Sequence, residues 1–156
     1  MKKIFFLIVI LGISFSQMSF PQDNASSSQL LQTYFNIKNA LVNDNANEAS
    51  TDALKFIKLL NNNDAKIPGK NTLETLLKQA TQISRTENIE KQREFFASLS
   101  TNMYDFIKAA KTNKEAVYYS YCPMKKSYWL SEYKDIKNPY YGNTMLTCGK
   151  VTEVIQ

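Results

Sequence analysis

Apolar residues return at three- and four-residue steps along most of the chain, and the step shortens only near its end. Leu30, Tyr34, Ile37 and Leu41, flanked by Leu31, Phe35 and Val42, form a broad stripe that predicts a helix beginning near Ser28. Ala49, Ala53, Phe56, Ile57 and Leu60 form a second stripe. Asn45 and Glu48 open it in capping spacing, where side chains satisfy amides that the first helical turn leaves orphaned. The run "NNNDAKIPGK" then interrupts, because asparagine favours turns and Pro68-Gly69 removes a donor and relaxes the backbone. Asn71 and Glu74 repeat the capping spacing before Leu73, Leu76, Leu77, Ala80 and Ile83. "SRTEN" marks the start of the longest stripe, through Ile89, Phe96, Leu99, Met103, Phe106 and Ala110, broken only at Gln92. Short connections make successive helices antiparallel neighbours, so these stripes predict an up-down four-helix bundle over residues 28–111.

After "KTNKE" the period falls to two. "AVYYSYC" alternates Val117, Tyr119 and Tyr121 against Tyr118, Ser120 and Cys122 and is rich in aromatic residues, which predicts a strand. "SYWL" is a second strand candidate, "KVTEVI" a third strand or an extended tail, and "NPYYGN" is turn chemistry. "TMLTCG" reads as a single helical turn closed by Gly149 in a left-handed conformation. The expected fold class is mainly α, with a small β-containing C-terminal subdomain over residues 112–156.

Composition agrees with this picture. With four glycines and four prolines in 156 residues, the chain lacks the punctuation of a many-turned β-sandwich, and 44% hydrophobic residues suffice for a real core. "MKKIFFLIVILGISFSQ" places Lys2 and Lys3 before an apolar run too short for the roughly 20 residues of a membrane-spanning helix. It reads as a secretory leader over residues 1–16, followed by a flexible polar lead-in over residues 17–27, so the mature chain is expected in the periplasm or outside the cell. Removing Lys2 and Lys3 lowers the formal charge from +5 to +3. No basic run follows, so the footprint of a nucleic-acid binder is missing.

The chain has no histidine, which removes the common catalytic triads, imidazole zinc sites and C-x-x-C-H haem attachment. Without a glycine-rich phosphate loop or a C-x-x-C pair, nothing points to an enzyme. What stands out is sulfur. Both cysteines have a methionine nearby: Cys122 and Met124 in "YCPMK", Met145 and Cys148 in "TMLTCG". Side chains two apart on a strand share a face, as do those three apart on a helical turn, giving two sulfur pairs that meet if the tail folds back. Thiolate with thioether suits Cu(I), whereas Zn(II) seldom takes thioether. Tyr121, Trp129 and Tyr141 would form an aromatic shell, although ordinary core packing explains each of them singly better. The two cysteines are also explained by a disulfide in an exported chain, and spacing leaves both readings open.

The stretches "TENIEKQREFFASLSTNMYDFIKA", "VYYSYCPM" and "YWLSEYKDIKNPYYGNTMLTCGKV" resemble a bacterial domain family of unknown function. That family occurs as small exported proteins and as the tail domain of periplasmic adaptor subunits in cation-efflux systems. The block from "CPM" through "YWLSE" and "NPYYG" to "TCG" looks like its heavy-metal motif, and the resemblance assigns metal-binding roles to Cys122, Met124, Met145 and Cys148. It implies copper binding or transfer in the periplasm, with an efflux or adaptor component as partner. Relatives carry histidines in the third and fourth helices where this chain has Gln82 and Phe95, so no imidazole site is carried over.

Overall fold

The four stripes become four helices in the computed structural model, which describes residues 22–62, 70–110 and 115–156. They are α1 Gln22–Val42, α2 Ala46–Asn61, α3 Lys70–Ser84 and α4 Ile89–Ala110. The expected leader lies outside the described residues, as does most of the interrupting run between α2 and α3. Helix α1 begins six residues before Ser28, inside the segment expected to be a flexible lead-in. Nothing after Pro21 forbids this: Gln, Ala and Ser carry only small helix penalties, and no Gly or Pro intervenes.

The capping expectation holds at Asn45, whose Oδ1 accepts from the Glu48 amide at 3.1 Å while its Nδ2 donates to the Glu48 carboxylate at 2.9 Å. It fails at Asn71, because α3 already starts at Lys70 and Asn71 lies within the first turn. Asn88 caps α4, accepting from the Lys91 amide at 3.0 Å.

Each helix packs against the next in sequence, and α1 also meets α4. Between them lie Tyr34, Ile37 and Leu41 from α1, Phe56 and Leu60 from α2, Leu76 and Ile83 from α3, and Phe96 and Phe106 from α4, all essentially inaccessible to water. Burying each such side chain contributes about 1.5–3 kcal/mol. Gln92, the polar break in the α4 stripe, is also fully buried. Its Nε2 lies 2.7–3.4 Å from the carbonyls of Ala46, Ile83 and Thr86 and the Ser50 hydroxyl, so it ties the start of α4 to α2 and to the α3–α4 connection.

The predicted strands are present as β1 Val117–Cys122, β2 Ser127–Ser131 and β3 Lys150–Ile155, in one antiparallel sheet of order β2-β1-β3. Strand β1 is therefore central. Its alternation is interrupted by a bulge: Tyr119 pairs with Glu153 but Ser120 pairs with Val151, and the skipped Thr152 donates its hydroxyl to the Tyr119 carbonyl at 2.9 Å.

Sheet and helices share one interior. Tyr34 and Phe96 stack at 5.2 Å, Phe96 meets Tyr140 at 6.1 Å, and Tyr140 meets Trp129 edge-on at 6.0 Å. The Tyr34 hydroxyl accepts from the Leu130 amide of β2 at 3.0 Å and shares a 2.7 Å hydrogen bond with Ser100. Two buried cations add polar ties. Lys38 on α1 donates to Glu132 at 2.8 Å, just beyond β2, and burial pushes its ammonium pKa down while Glu132 opposes the shift.

Arg93 on α4 reaches further. It donates to the Pro139 carbonyl at 2.9 Å, the Leu41 carbonyl at 2.9 Å, the Asp44 carboxylate at 2.5 Å and the Glu90 carboxylate at 3.3 Å. Asp44 can be there because α1 closes with it in a left-handed conformation, φ +57°, while the Asn45 amide donates back to Ala40. The same carboxylate accepts from the backbone and side chain of Asn143. Gly142 slots between them at φ +51°, where a Cβ would lie 2.6 Å from Arg93 Nη2.

Replacing Arg93 by methionine strands a carboxylate and two carbonyls, so we expect a loss of about 3–5 kcal/mol in urea unfolding, with Arg93→Lys recovering only part of it. Asp44 adds a pH dependence. The Arg93 hydrogen bond holds its carboxyl below the usual carboxylate range, so its contribution is complete above the ordinary pKa and fades as pH falls through the lowered one. Acid titrations of stability in wild type and Asp44→Asn should converge at low pH.

Candidate metal centre

Strand β1 ends at Cys122, and the next four residues turn the chain into β2, with Lys126 at φ +53° completing the reversal. The expectation that Cys122 and Met124 project together from one strand is therefore corrected: the two-residue alternation stops at the turn. Cys122 is fully buried, whereas Met124 stands 61% exposed at the hairpin tip. On the other segment, "TMLTCG" makes a single turn in which the Cys148 amide donates to the Met145 carbonyl at 3.1 Å. The short 3-10 helix lies just upstream, at Gly142–Thr144. Met145 and Cys148 are each half-buried.

Gly149 closes this turn at φ +149°, a conformation suited to glycine. A Cβ there would sit 2.7 Å from the outer edge of the Trp129 ring and 3.0 Å from the Tyr121 carbonyl. Close packing of the Cys148 turn on β1 and β2 thus requires the missing side chain.

The two cysteines, 26 positions apart in sequence, meet in space. Both are free, and one side chain reaches both segments. Sequence reasoning passed over the residue that holds them. Asn138, fully buried, donates through Nδ2 to Cys122 Sγ at 3.2 Å and to the Cys148 carbonyl at 2.7 Å. Its Oδ1 accepts from the Tyr140 amide at 2.8 Å, and its own amide donates to the Leu146 carbonyl at 2.8 Å. Cys122 Sγ takes a second donor from the Lys125 amide at 3.4 Å. The only local sign of this role is an asparagine before proline, which reads as turn chemistry; the demand comes from buried groups distant in sequence.

Of the expected aromatic shell, Trp129 is fully buried against Gly149, Tyr121 is half-buried and packs on Tyr128 at 4.6 Å, and Tyr141 is half-buried. Tyr140 belongs with them. It is buried beneath Trp129 and donates its hydroxyl to the Tyr128 carbonyl.

Two thiols with a thioether one turn from Cys148 make a soft donor set. Among the described residues, no cluster of three or more histidine, cysteine or carboxylate side chains could hold a metal ion. Among those residues, too, no helix is long and apolar enough to cross a membrane.

A family model matches residues 30–115, more than half of the chain. The chain belongs to the family described as "Protein of unknown function (DUF3347)". No curated protein and no solved structure matches it. The DUF3347 match covers α2, α3, α4 and α1 from Leu30 onward and stops at Glu115, just short of β1, so the sulfur-bearing sheet lies outside the matched stretch.

Burial first, and then the charge and hydrogen bond of Cys122, push the Cys148 thiol up. The pH midpoint of Cys148 alkylation should exceed the ordinary free-thiol value of about 8.5, and Cys122→Ala should lower it part of the way, because burial persists. A raised acid favours the folded state below the ordinary thiol pKa, and that contribution disappears as pH rises through the raised one. Separately, Gly149→Ala should destabilise the protein by about 1–3 kcal/mol and alter the near-ultraviolet circular dichroism of Trp129.

Proposed function

We propose that this protein is an exported, non-enzymatic binder of a soft metal ion, copper as Cu(I), and acts in periplasmic copper handling or efflux. The helices are read as an up-down bundle carrying the small sheet. Cys122 and Cys148 would hold the ion as thiolates, Met145 would add a thioether from the Cys148 turn, and Met124 would close the site from the hairpin tip. The observation that supports this reading is that one buried asparagine, Asn138, donates both to the sulfur of free Cys122 and to the backbone carbonyl of free Cys148. As thiolates, the two cysteines would be anionic soft donors.

When bound, the ion contributes coordination and no acid-base chemistry. Asn138 would orient Cys122 by donating to its sulfur, and Trp129, Tyr140 and Tyr121 would restrict water and oxidant. A periplasmic efflux or adaptor component is the partner implied by the resemblance.

The same contact favours a second reading, in which Cys122 and Cys148 are oxidised to a bridge and the protein is a stapled interaction module docking on a membrane-associated partner. Alkylation followed by intact-mass measurement, on protein isolated without reductant, separates the two readings. For the copper reading, titration of reduced protein against a competing Cu(I) chelator should give one equivalent. Cys122→Ser should abolish tight binding, and Met145→Leu and Met124→Leu should each weaken it by about tenfold or more. Unchanged affinity in both methionine variants would remove the thioethers from the site.

A further inference from the structure

The two segments that build the sulfur end of the molecule are unusual in charge. Residues 116–131 and 136–151 hold Lys125, Lys126, Lys137 and Lys150 and no Asp or Glu. Of the other cations, Lys38 pairs with Glu132, Lys55 with Asp52, Arg93 with Asp44 and Lys108 with Glu153. Among the described residues, Lys125, Lys126 and Lys150 have no carboxylate in ion-pair contact.

Their positions are fixed by the fold. Lys125 and Lys126 complete the hairpin turn after Cys122, and the Lys125 amide donates to the Cys122 sulfur. Lys150 follows Cys148 by two residues and pairs with Tyr121, beside the same turn. Lys126 and Lys150 are exposed and Lys125 is half-buried. Exposed Met124 and half-buried Cys148 are therefore each followed closely in the chain by lysines that have no carboxylate partner among the described residues.

We propose that Lys125, Lys126 and Lys150 form an electropositive mouth that recruits small, negatively charged thiols and thiolate–metal complexes to Cys148. The physics is steering: same-sign charges around a partly buried reactive group concentrate oppositely charged ligands there and accelerate encounter, and salt screens the effect. The mouth is small, a hairpin tip and one strand start, which matches a low-molecular-weight carrier better than a broad protein surface. In metal transfer the Cys148 thiol would give its proton to the departing carrier thiolate as the Cys148 sulfur–metal bond forms and the carrier sulfur–metal bond breaks. Thiols and ions balance, and no oxidant is needed. Recruitment of anionic thiol compounds does not depend on copper being the cargo.

The test uses the reduced, intact protein and two aromatic disulfides: dithiobis-nitrobenzoate, a dianion, and dithiodipyridine, which is neutral. In each reaction the Cys148 thiolate attacks the disulfide and expels one aromatic thiolate. Cys122 can then displace the second, so two electrons pass from the cysteine pair to the reagent. The rate with the dianion should fall about tenfold from low to high salt, while that with the neutral reagent stays level. In the triple variant Lys125→Gln, Lys126→Gln, Lys150→Gln, the dianion should lose that advantage and its salt dependence. Neutral-reagent rates should stay within about twofold, and Lys78→Gln on α3 should change nothing.

An unchanged preference for the dianion in the triple variant overturns the proposal. So does a slow rate with both reagents, which would mean that the site itself was disturbed. A second arm offers the copper(I)–glutathione complex. Anion preference without copper uptake leaves the mouth standing and defeats the copper function. Copper uptake at equal rates in wild type and triple variant defeats the mouth and leaves the copper function intact. Selective acceleration by an acidic protein carrier, with no anion preference among small reagents, would also overturn the proposal in favour of a protein partner.

Discussion

The buried guanidinium of Arg93 is the constraint on which the arrangement of the C-terminal region depends. A charge taken out of water must be met on nearly every side, and Arg93 is met by the end of α1, by Asp44 in its left-handed position and by the Pro139 carbonyl. The last of these matters most for the site, because Pro139 follows Asn138, and Asn138 touches both sulfur segments. The chain of contact runs from the bundle through one cation and one turn to the thiols. Net stabilisation from such a group is modest by comparison with the apolar core; what it contributes is a unique placement of the turn.

Helices were legible because burial repeats. Leu30, Tyr34, Ile37 and Leu41 can all face inward only in a 3.6-residue period, and all four are buried in α1. Strand β1 was legible from its aromatic residues and its alternation at period two, although a bulge interrupts that alternation. What the pattern could not carry was the polar interior. Gln92 looked like a gap in a stripe and is a buried connector, Asn138 lay in what looked like turn chemistry, and nothing in the local pattern singled out Arg93. Each is specified by acceptors more than forty positions away, or by a sulfur sixteen positions upstream, and local periodicity holds no record of those distances.

The sulfur positions were partly legible. Spacing suggested that each cysteine shares a face with its neighbouring methionine, and a real turn joins Met145 to Cys148. For Cys122 and Met124 the extended-chain assumption failed at Pro123, because the hairpin reverses there. The outcome is an asymmetric set, with one thiol sealed, one accessible, one thioether half-covered and one in solvent. Under the proposed function, that gradation would give an incoming ion an order of approach, with Met124 met first and Cys122 last.

Trp129 is the single tryptophan of the chain, and it packs against the glycine that follows Cys148. Indole emission is sensitive to nearby sulfur and to small changes in packing, so this protein carries its own optical gauge at the place of interest. Any event that shifts the Cys148 turn can be followed in the unlabelled molecule, against a tyrosine background that is spectrally separable.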